Sequence, residues 1–318
     1  MLSLIICTYN RSELLRLTLQ SVQEMKVPAG LTWELIVVDN NSRDNTWEVF
    51  SEFAASSEIK SRYIFEQTPG LAHARNRGIA EAEGRIISFT DDDVLVDQNW
   101  LARNADVFTT TGASCVGGRV LPLWEGAPPK WLGNGFWGCI ALLDLGSEPL
   151  WLNTPEIWGA NFSVLSAMFE KYGCFDTTLG RKPGKLYSGE ETELLQRILR
   201  KGESVYYSPD IKVFHTVPLA RMNKSYCRKW KYDQGELDGI QRRLHNNMPV
   251  VQNIHYSMTT LASLLFGYFA CLPFSCSKAF RLQLDLCQCF GYLQWVFRHR
   301  ARGIITRLFS RWLSFTNS

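Results

Sequence analysis

Short apolar runs recur through the first third of the chain, and longer stretches with helical periodicity separate them. The runs are rich in Ile, Val and Leu, as expected of strands that are buried on both faces. They predict strands at 2–7, 34–38, 62–66 and 85–90. Strands that alternate with helices indicate βαβ units and a parallel sheet. This part of the chain is therefore predicted to be α/β, with helices flanking a mostly parallel central sheet.

The stretches between the strands predict amphipathic helices. In the first of them the apolar residues on or near one face are Leu14, Leu15, Leu17, Leu19 and Val22, and Ser12 stands where a helix N-cap is expected. Helices are predicted at 13–25, 44–55, 71–82, 163–171 and 190–201. An extended segment is predicted at 204–213.

The rest of the chain divides into a loop-rich stretch and a helical extension. Residues 117–159 are rich in Trp, Gly and Pro, which favours loops with short strands. From residue 224 a charged segment is followed by alternating apolar and basic stretches, and their residue pattern is typical of helices. We therefore predict two domains, an α/β domain over 1–223 and a helical C-terminal extension over 224–318.

Polar residues follow three of the predicted strands at the point where each strand ends. They are the segments 8–11, 39–42 and 91–93. Open parallel sheets bind ligands at the carboxyl ends of their strands. Three polar clusters at one edge of one sheet therefore predict a binding site there.

The most unusual of these clusters is the run Asp91-Asp92-Asp93. Three adjacent carboxylates repel one another unless a cation lies among them. Mg²⁺ is often held by one or two carboxylates together with substrate phosphates. The run favours a site for a metal and a phosphate; the alternative is an acidic turn after an edge strand.

Composition narrows the class of protein. Hydrophobic residues make up 46% and charged residues 20% of the 318 residues, as in globular proteins. The net charge of +3 is too small to indicate nucleic-acid binding, and no nucleic-acid partner is predicted. The nine cysteines form no CxxC pair, which disfavours a zinc site. No basic leader precedes the first strand, so we expect the α/β domain in the cytoplasm.

Four segments in a fixed order carry a family resemblance. They are residues 4–11, 35–46, 70–78 and 91–93. Together they resemble family 2 glycosyltransferases of the GT-A fold, of the type found in bacterial polysaccharide biosynthesis. The resemblance implies a Rossmann-like sheet, a nucleotide-sugar donor that is most often UDP-linked, a divalent cation (Mn²⁺ or Mg²⁺) and inversion at the anomeric carbon.

The resemblance implies roles for residues near the strand ends. Thr8, Asn10 and Arg11 would line the nucleotide pocket, and Asp39 would accept hydrogen bonds from the base or the ribose. Arg75 stands at the position that contacts the nucleotide in the family, where its fork suits a carbonyl or phosphate oxygen. Without that context Arg75 would be interpreted as a surface cation on a helix.

One motif departs from the family pattern. Many members have Asp-Asp-Gly-Ser where this chain has Asp39-Asn40-Asn41-Ser42. The first Asp is kept, so the expectation for Asp39 stands, whereas a ligand role for Asn40 is in doubt.

The resemblance also assigns the triple Asp. It places Asp91 on the ribose side and Asp93 on the metal, bridging to the diphosphate, while Asp92 shares either role. Asp91 is a second candidate metal ligand, and His215 matches a third metal ligand of many GT-A enzymes. The alternative for His215 is a structural histidine. A cation held here would withdraw charge from the departing diphosphate as a Lewis acid.

The acceptor side is predicted in the second half of the chain. Residues 189–194 resemble the family segment Gly-Glu-Asp-x-Glu-Leu, with Glu191 at the position of the general base and Glu190 as second candidate. An ordinary acidic helix N-terminus is the alternative. Trp158 belongs to a segment that resembles the wall of the sugar and acceptor pocket, although a core role is equally compatible with a Trp.

The C-terminal tail predicts contact with a membrane surface. From residue 278 onward seven cations and one acid give a net charge of +6. Apolar residues recur at helical spacing over 304–313 with Arg between them, which favours a helix lying on an anionic bilayer. The apolar run 261–276 is short for a full span. Alternatively, the tail packs on the α/β domain or on a second copy of the chain.

The sequence therefore predicts an inverting, metal-dependent glycosyltransferase that moves a sugar to a hydroxyl of a saccharide or lipid-linked saccharide. We expect it to act in surface polysaccharide or glycolipid assembly, peripherally at the inner face of the cell membrane. An inactive nucleotide-sugar-binding or scaffold protein is the alternative, because Glu191 replaces the usual Asp. A dinucleotide oxidoreductase is disfavoured, since no GxGxxG follows the first strand.

Overall fold

The computed structural model describes residues 1–181, 184–245, 250–271 and 276–298. It divides the chain into two compact units. The first comprises Met1–Gly184 with Ser188–Met222, and the second comprises Lys185–Tyr187 with Asn223–Ser318. The tail helix predicted at 304–313 lies outside the described residues.

The first unit is built on one sheet, which has nine strands in the described residues. These are β1 (Leu2–Thr8), β2 (Trp33–Asp39), β3 (Ser61–Phe65), β4 (Ile86–Asp91), β5 (Val94–Val96), β6 (Cys115–Trp124), β7 (Leu150–Leu152), β8 (Phe162–Leu165) and β9 (Val205–Val217). Their order is β3-β2-β1-β4-β8-β6-β9-β5, and β7 pairs with β9. The first four strands of this order are mutually parallel, whereas β8 is antiparallel to both of its neighbours.

Helices follow the strands of the first unit. They are α1 (Ser12–Gln23), α2 (Thr46–Ser56), α3 (Leu71–Glu81), α4 (Trp100–Thr111), α5 (Ser166–Tyr172) and α6 (Glu190–Arg200). The predicted α/β fold is confirmed, and the four N-terminal strands match their predicted bounds to within one residue at each end. Strands β1, β2 and β4 were recognisable as continuous apolar runs because they are buried along most of their length.

Three local predictions were wrong. Ser12 is the first residue of α1 and not its N-cap, and its backbone N–H donates to Asp44 Oδ2 at 2.9 Å. The helix predicted from residue 163 begins only at Ser166, because residues 162–165 pair with strands on both sides as β8. The loop-rich stretch also contains most of β6, whose register shifts between Gly118 and Arg119.

An aromatic cluster fills the core beneath the parallel strands. Phe89 of β4 stacks on Phe162 of β8, with ring centroids 6.1 Å apart. Phe169 and Phe175 meet Phe89 edge-on at 6.4 and 5.5 Å. These side chains are buried, so their packing fixes the position of β4 and of the acidic residues that follow it.

The second unit contains three helices in its described residues: α7 (Lys224–His245), α8 (Val250–Cys271) and α9 (Cys276–Val296). The helical character predicted for the start of the C-terminal extension is confirmed by α7. Helices α7 and α9 approach closely at Gly235, where an added Cβ would lie 1.9 Å from the carbonyl oxygen of Gln288. None of the described helices is long and apolar enough to cross a membrane.

Two buried acids of α7 hold the short segment that belongs to the same unit. The backbone N–H of Leu186 donates to Asp233 Oδ2 at 2.9 Å. Lys185 and Tyr187 both contact Glu236, the tyrosine hydroxyl at 3.1 Å. Each buried carboxylate is therefore matched by donors, as burial of charge requires.

Candidate active site

The strand register brings the predicted polar clusters to one edge of the sheet. Thr8 at the end of β1 pairs with Asp39 at the end of β2. Cys7, one residue earlier in β1, pairs with Asp91 at the end of β4. The three strand ends are therefore level, and the residues that follow them surround one site.

Asp91, Asp93 and His215 form a cluster with the composition of a metal site. One ligand atom from each lies within 4.8 Å of the others. The pairing of β5 with β9 sets Val94 opposite His215, which brings His215 to the triple Asp. Its Nε2 lies 3.3 Å from Asp93 Oδ1, and both side chains are buried. The predicted extended segment is confirmed as β9, which continues through His215.

This donor set fits a divalent cation. Carboxylate oxygens suit Mg²⁺ and Mn²⁺, and imidazole suits several transition metals. Among the described atoms, the buried Nδ1 of His215 has no hydrogen-bond partner. Two cations contact Asp93 Oδ2 instead: Arg11 Nη1 at 3.0 Å and Arg221 Nη2 at 3.5 Å. Asp93, Asp91 and His215 are thus the residues that would hold the ion.

Asp92 and Asp93 have pKa values that are shifted in opposite directions. Burial alone would raise the pKa of Asp93, but His215, Arg11 and Arg221 outweigh it and hold that pKa below its usual range. Burial raises the pKa of Asp92 to about 7, although Arg11 opposes the shift. Asp92 Oδ2 accepts from the Thr8 hydroxyl at 2.8 Å. Asp92 and Thr8 therefore bond to each other at the base of the site.

Glu190 and Glu191 begin α6 and reach the same site. Arg75 of α3 donates to Glu190 Oε1 at 2.6 Å and lies 3.3 Å from Asp91 Oδ1. Glu191 Oε1 accepts from the backbone N–H of Gly159 at 3.3 Å. Within the described structure, Oε2 of each glutamate is buried and has no hydrogen-bond partner. The free oxygen of an ionised glutamate in such a position can accept a proton from a bound hydroxyl.

The buried position of Glu190 predicts a pH-dependent stability. Burial raises its pKa to about 8, and the charge of Glu191 acts in the same direction. Between about pH 5 and pH 8 the folded protein then keeps a proton that the unfolded chain has lost, so stability falls as the pH rises. Urea unfolding in EDTA should show that Glu190→Gln reduces this slope by about 1.4 kcal/mol per pH unit. An unchanged slope would contradict the assignment.

Asp39 and Asn10 are tied to the loop that follows β2. Asp39 Oδ1 accepts from the backbone N–H of Ser42 at 2.8 Å, and its Oδ2 accepts from the Tyr63 hydroxyl. Asn10 has a positive φ of 51°, and its Oδ1 accepts from the backbone N–H of Arg43 at 2.7 Å. Asp39 and Asn10, which were both predicted to contact the nucleotide, thus stabilise the loop that follows β2.

Asn40, at the departure from the family motif, is fully engaged with backbone groups. Its Nδ2 donates to the carbonyl oxygens of Glu66 and Thr68 at 3.2 and 2.7 Å. Its Oδ1 accepts from the backbone N–H of Gly70 at 2.7 Å. Since α3 begins at the next residue, Asn40 connects the end of β2 to the start of the helix that carries Arg75.

We expect Asn40→Asp to destabilise the protein by about 2–4 kcal/mol, because a carboxylate would face the carbonyl oxygens of Glu66 and Thr68 without a donor. Chemical unfolding measures the change. Asn41→Asp is the matched control, since it makes the same change at the next residue, whose positive φ is tolerated by Asp as by Asn. Equal stability of the two variants would contradict the role of Asn40.

Trp158 lies beside Gly159 and is half-buried. Its indole N–H donates to the carbonyl oxygen of Leu142 at 2.9 Å. This hydrogen bond fixes the orientation of the indole ring, and part of the ring remains accessible to solvent.

Sequence reasoning missed Arg221 and Tyr63. Arg221 lies six residues after His215 and contacts both it and Asp93, at 3.5 Å each. Tyr63 lies in the middle of β3 with its hydroxyl on Asp39. No local motif distinguishes either residue, and only the pairing of β3 with β2 could have pointed to Tyr63.

Comparison with known proteins identifies the family. The model of glycosyl transferase family 2 matches residues 3–173, which is more than half of the chain. The chain belongs to this family. The match contains the strand ends, the triple Asp and Arg75, so the predicted resemblance is confirmed, and the protein is a glycosyltransferase.

Individual relatives agree with this identification. The glycosyltransferase is 26% identical to the succinoglycan biosynthesis protein ExoM of Rhizobium meliloti over 238 residues, covering 74% of this chain and 72% of ExoM. It is 35% identical to the glycosyltransferase AglE of Haloferax volcanii over 118 residues, covering 37% of this chain and 38% of AglE.

Solved structures share the fold. The mannosyltransferase PcManGT from Pyrobaculum calidifontis, in complex with GDP-Man and Mn²⁺, has a TM-score of 0.65 at 18% identity; the alignment covers 94% of this chain and 88% of PcManGT. S. aureus TarS 1-349 with UDP-GlcNAc has a TM-score of 0.56 at 16% identity, covering 92% and 79%. The family 2 glycosyltransferase therefore has the predicted GT-A fold with a helical C-terminal region.

Proposed function

We propose that this glycosyltransferase is metal-dependent and inverting, and moves a sugar from a nucleoside diphosphate to an acceptor hydroxyl. The observation that carries the proposal is the contact pattern of Arg75. Its guanidinium lies 3.3 Å from Asp91 of the acidic cluster and within 4.0 Å of both Glu190 and Glu191. The candidate metal ligands and the two candidate bases are therefore close enough to act on the same anomeric carbon.

The donor half is assigned to the strand ends. Asp91, Asp93 and His215 would hold Mn²⁺ or Mg²⁺, which when bound supplies charge withdrawal from the departing diphosphate. Arg11, whose side chain is 41% exposed, is placed to contact a phosphate oxygen. Asp39 is proposed to accept from the base or the ribose.

UDP is the proposed nucleotide, in line with the motif resemblance. Support from solved structures is divided, because PcManGT carries GDP-Man and TarS carries UDP-GlcNAc. The experiment therefore has to compare the two nucleotides directly.

The acceptor half is assigned to the start of α6. Glu191 is proposed to take the proton of the attacking hydroxyl as that oxygen bonds to the anomeric carbon and the bond to the diphosphate breaks on the opposite face. Inversion follows from this single displacement. Glu191 is preferred to Glu190 because Glu190 already accepts from Arg75 and lies deeper. Trp158 is proposed to stack on a sugar ring.

The acceptor is proposed to be a growing saccharide or a lipid-linked saccharide of a cell-surface polymer or glycolipid. Support comes from ExoM, which is named for succinoglycan biosynthesis, and ExoM and this chain match over most of both chains.

Calorimetric binding of UDP, GDP and CMP with and without Mn²⁺ tests the donor half. We expect UDP to bind, and to bind at least about ten times more tightly with Mn²⁺, since an ion held by Asp91, Asp93 and His215 would supply positive charge to the diphosphate. Preference for GDP would keep the metal-dependent transferase and change its donor. Failure of every nucleotide to bind the folded protein would refute the proposal.

We propose in addition that the second unit contacts the membrane at its cytoplasmic face. Helix α8 contains no Asp, Glu, Lys or Arg, and Leu265, Phe266 and Phe269 are exposed on it, the two phenylalanines at 79% and 65%. The basic tail would supply attraction to anionic lipid. A surface of this kind suits an enzyme whose acceptor is lipid-linked.

Flotation with liposomes tests the membrane contact. We expect binding to vesicles that contain phosphatidylglycerol, and loss of most of it in Phe266→Ser/Phe269→Ser and in a chain lacking residues 299–318. Trp47→Ser, which removes an exposed aromatic from the first unit, is the control. Undiminished flotation of both test proteins would refute this surface.

A further inference from the structure

Arg75 lies in the interior of the site although it carries a permanent charge. Its side chain is 3% exposed. The guanidinium carbon lies 5.9 Å from the ring centre of Phe89 and 5.6 Å from that of Phe175. A cation this close to two aromatic rings is attracted by both of them and is held away from water. Arg75 is therefore fixed by packing as well as by charge.

The donors of Arg75 are directed at protein carboxylates. Nη1 donates to Glu190 Oε1 at 2.6 Å and lies 4.0 Å from Glu191 Oε2. Nη2 is 3.3 Å from Asp91 Oδ1. Arg11 differs sharply, because its side chain is 41% exposed. Of these two arginines, Arg11 is thus the one with surface left for a soluble phosphate.

The backbone at Gly159 is shaped around the guanidinium. A Cβ at this position would lie 2.2 Å from Nη2 of Arg75. The N–H of Gly159 donates to Glu191, so the same residue contacts both sides of the charged cluster. A side chain at this position would have to displace the guanidinium, so the absence of one at Gly159 leaves the space that Arg75 occupies.

We propose that Arg75 is a positioning residue that joins the metal side of the site to the base side. Its planar fork holds Asp91 with one nitrogen and Glu190 with the other, at a separation set by the guanidinium itself. Asp91 is thereby turned toward Asp93 and His215, while α6 is held with Glu191 facing the same space. The inference deepens the proposed function and rests on it.

A lysine cannot replace this arrangement, because an ammonium is a single point and cannot span two carboxylates in a fixed plane. Arg75→Lys therefore keeps the charge and removes the bridge. Gly159→Ala disturbs the bridge from the other side, because its methyl group displaces the guanidinium. Arg77→Gln is the matched control, since Arg77 lies on the same helix and pairs with Glu81 on its exposed face.

The first readout is calorimetric binding of Mn²⁺ alone and of UDP alone to the full-length protein and each variant. For Arg75→Lys we expect Mn²⁺ affinity to fall about 10–100-fold, as for other groups that orient metal ligands, while UDP affinity changes less than about 3-fold. Gly159→Ala should show the same pattern, and Arg77→Gln should bind both like wild type. Gly159→Ala supplies the test by itself if Arg75→Lys does not fold.

The second readout is steady-state transfer. Arg75→Lys should lower kcat about 100-fold or more with the KM for the donor nearly unchanged. Unchanged Mn²⁺ affinity, or a loss of UDP affinity as large as the loss of Mn²⁺ affinity, would overturn the inference. If the wild type binds Mn²⁺ but no nucleotide, the proposed function fails, and the Mn²⁺ comparison alone decides whether Arg75 positions Asp91.

Discussion

Asp93→Asn is expected to lower kcat/KM for sugar transfer by about 10³-fold or more. Loss of one preorganised electrostatic group at a reacting centre typically costs 10²–10³-fold, and Asp93 is both a proposed metal ligand and the residue that His215, Arg11 and Arg221 contact. Its two oxygens contact His215 at 3.3 Å and Arg11 at 3.0 Å, with Arg221 at 3.5 Å. The amide has the same shape but cannot hold a divalent cation with the same strength.

The loss should be traceable to the cation. We expect the melting temperature of Asp93→Asn not to rise when Mn²⁺ is added. The wild type should be stabilised by about 2.7 kcal/mol at a free Mn²⁺ concentration of 100 times its Kd, and its melting temperature should rise accordingly. The variant should still fold, because Arg11 keeps its 3.0 Å contact with Asp92. Asp106→Asn, at an exposed position of α4, is the control. Mn²⁺-dependent stabilisation of Asp93→Asn equal to that of the wild type would contradict the metal assignment.

The donor edge of the site was predictable from sequence because one rule covers it. Parallel strands with apolar faces are recognised locally, and their carboxyl ends must meet at one edge. Thr8, Asp39 and Asp91 needed no further information. Their exact environment was less predictable, because Thr8 donates to Asp92 and Asn40 accepts from the backbone N–H of Gly70.

The residues that sequence reasoning missed are those whose place depends on long-range pairing. Arg221 reaches Asp93 only because β9 continues through His215 beside β5. The interior position of Arg75 follows from the packing of Phe89 and Phe175 and from the missing side chain at Gly159, and these residues are far apart in the chain. Helical spacing puts Arg75 and Arg77 on different faces of α3, but only the packed core shows that Arg75 is the buried one.

Glu191→Gln is the second large effect, and we expect it to lower kcat about 10³-fold, within the 10²–10⁴-fold contribution usual for a general base. The amide keeps the oxygen that accepts from Gly159 but can no longer take a proton. Mn²⁺ and UDP should bind as in wild type, because Glu191 belongs to neither proposed ligand set. Rate and binding are compared in the same preparation by steady-state transfer and calorimetry.

Glu190→Gln separates the two glutamates that begin α6. Glu190 accepts from Arg75, so its amide should keep that bond and lower kcat less than Glu191→Gln does. The reverse order of the two effects would assign the base to Glu190 and leave Glu191 as the residue that holds Gly159. Full activity of both variants would exclude a carboxylate base on α6. Because the two side chains are adjacent and Arg75 reaches both, only this comparison of rates can tell the proton acceptor from the residue that keeps it in place.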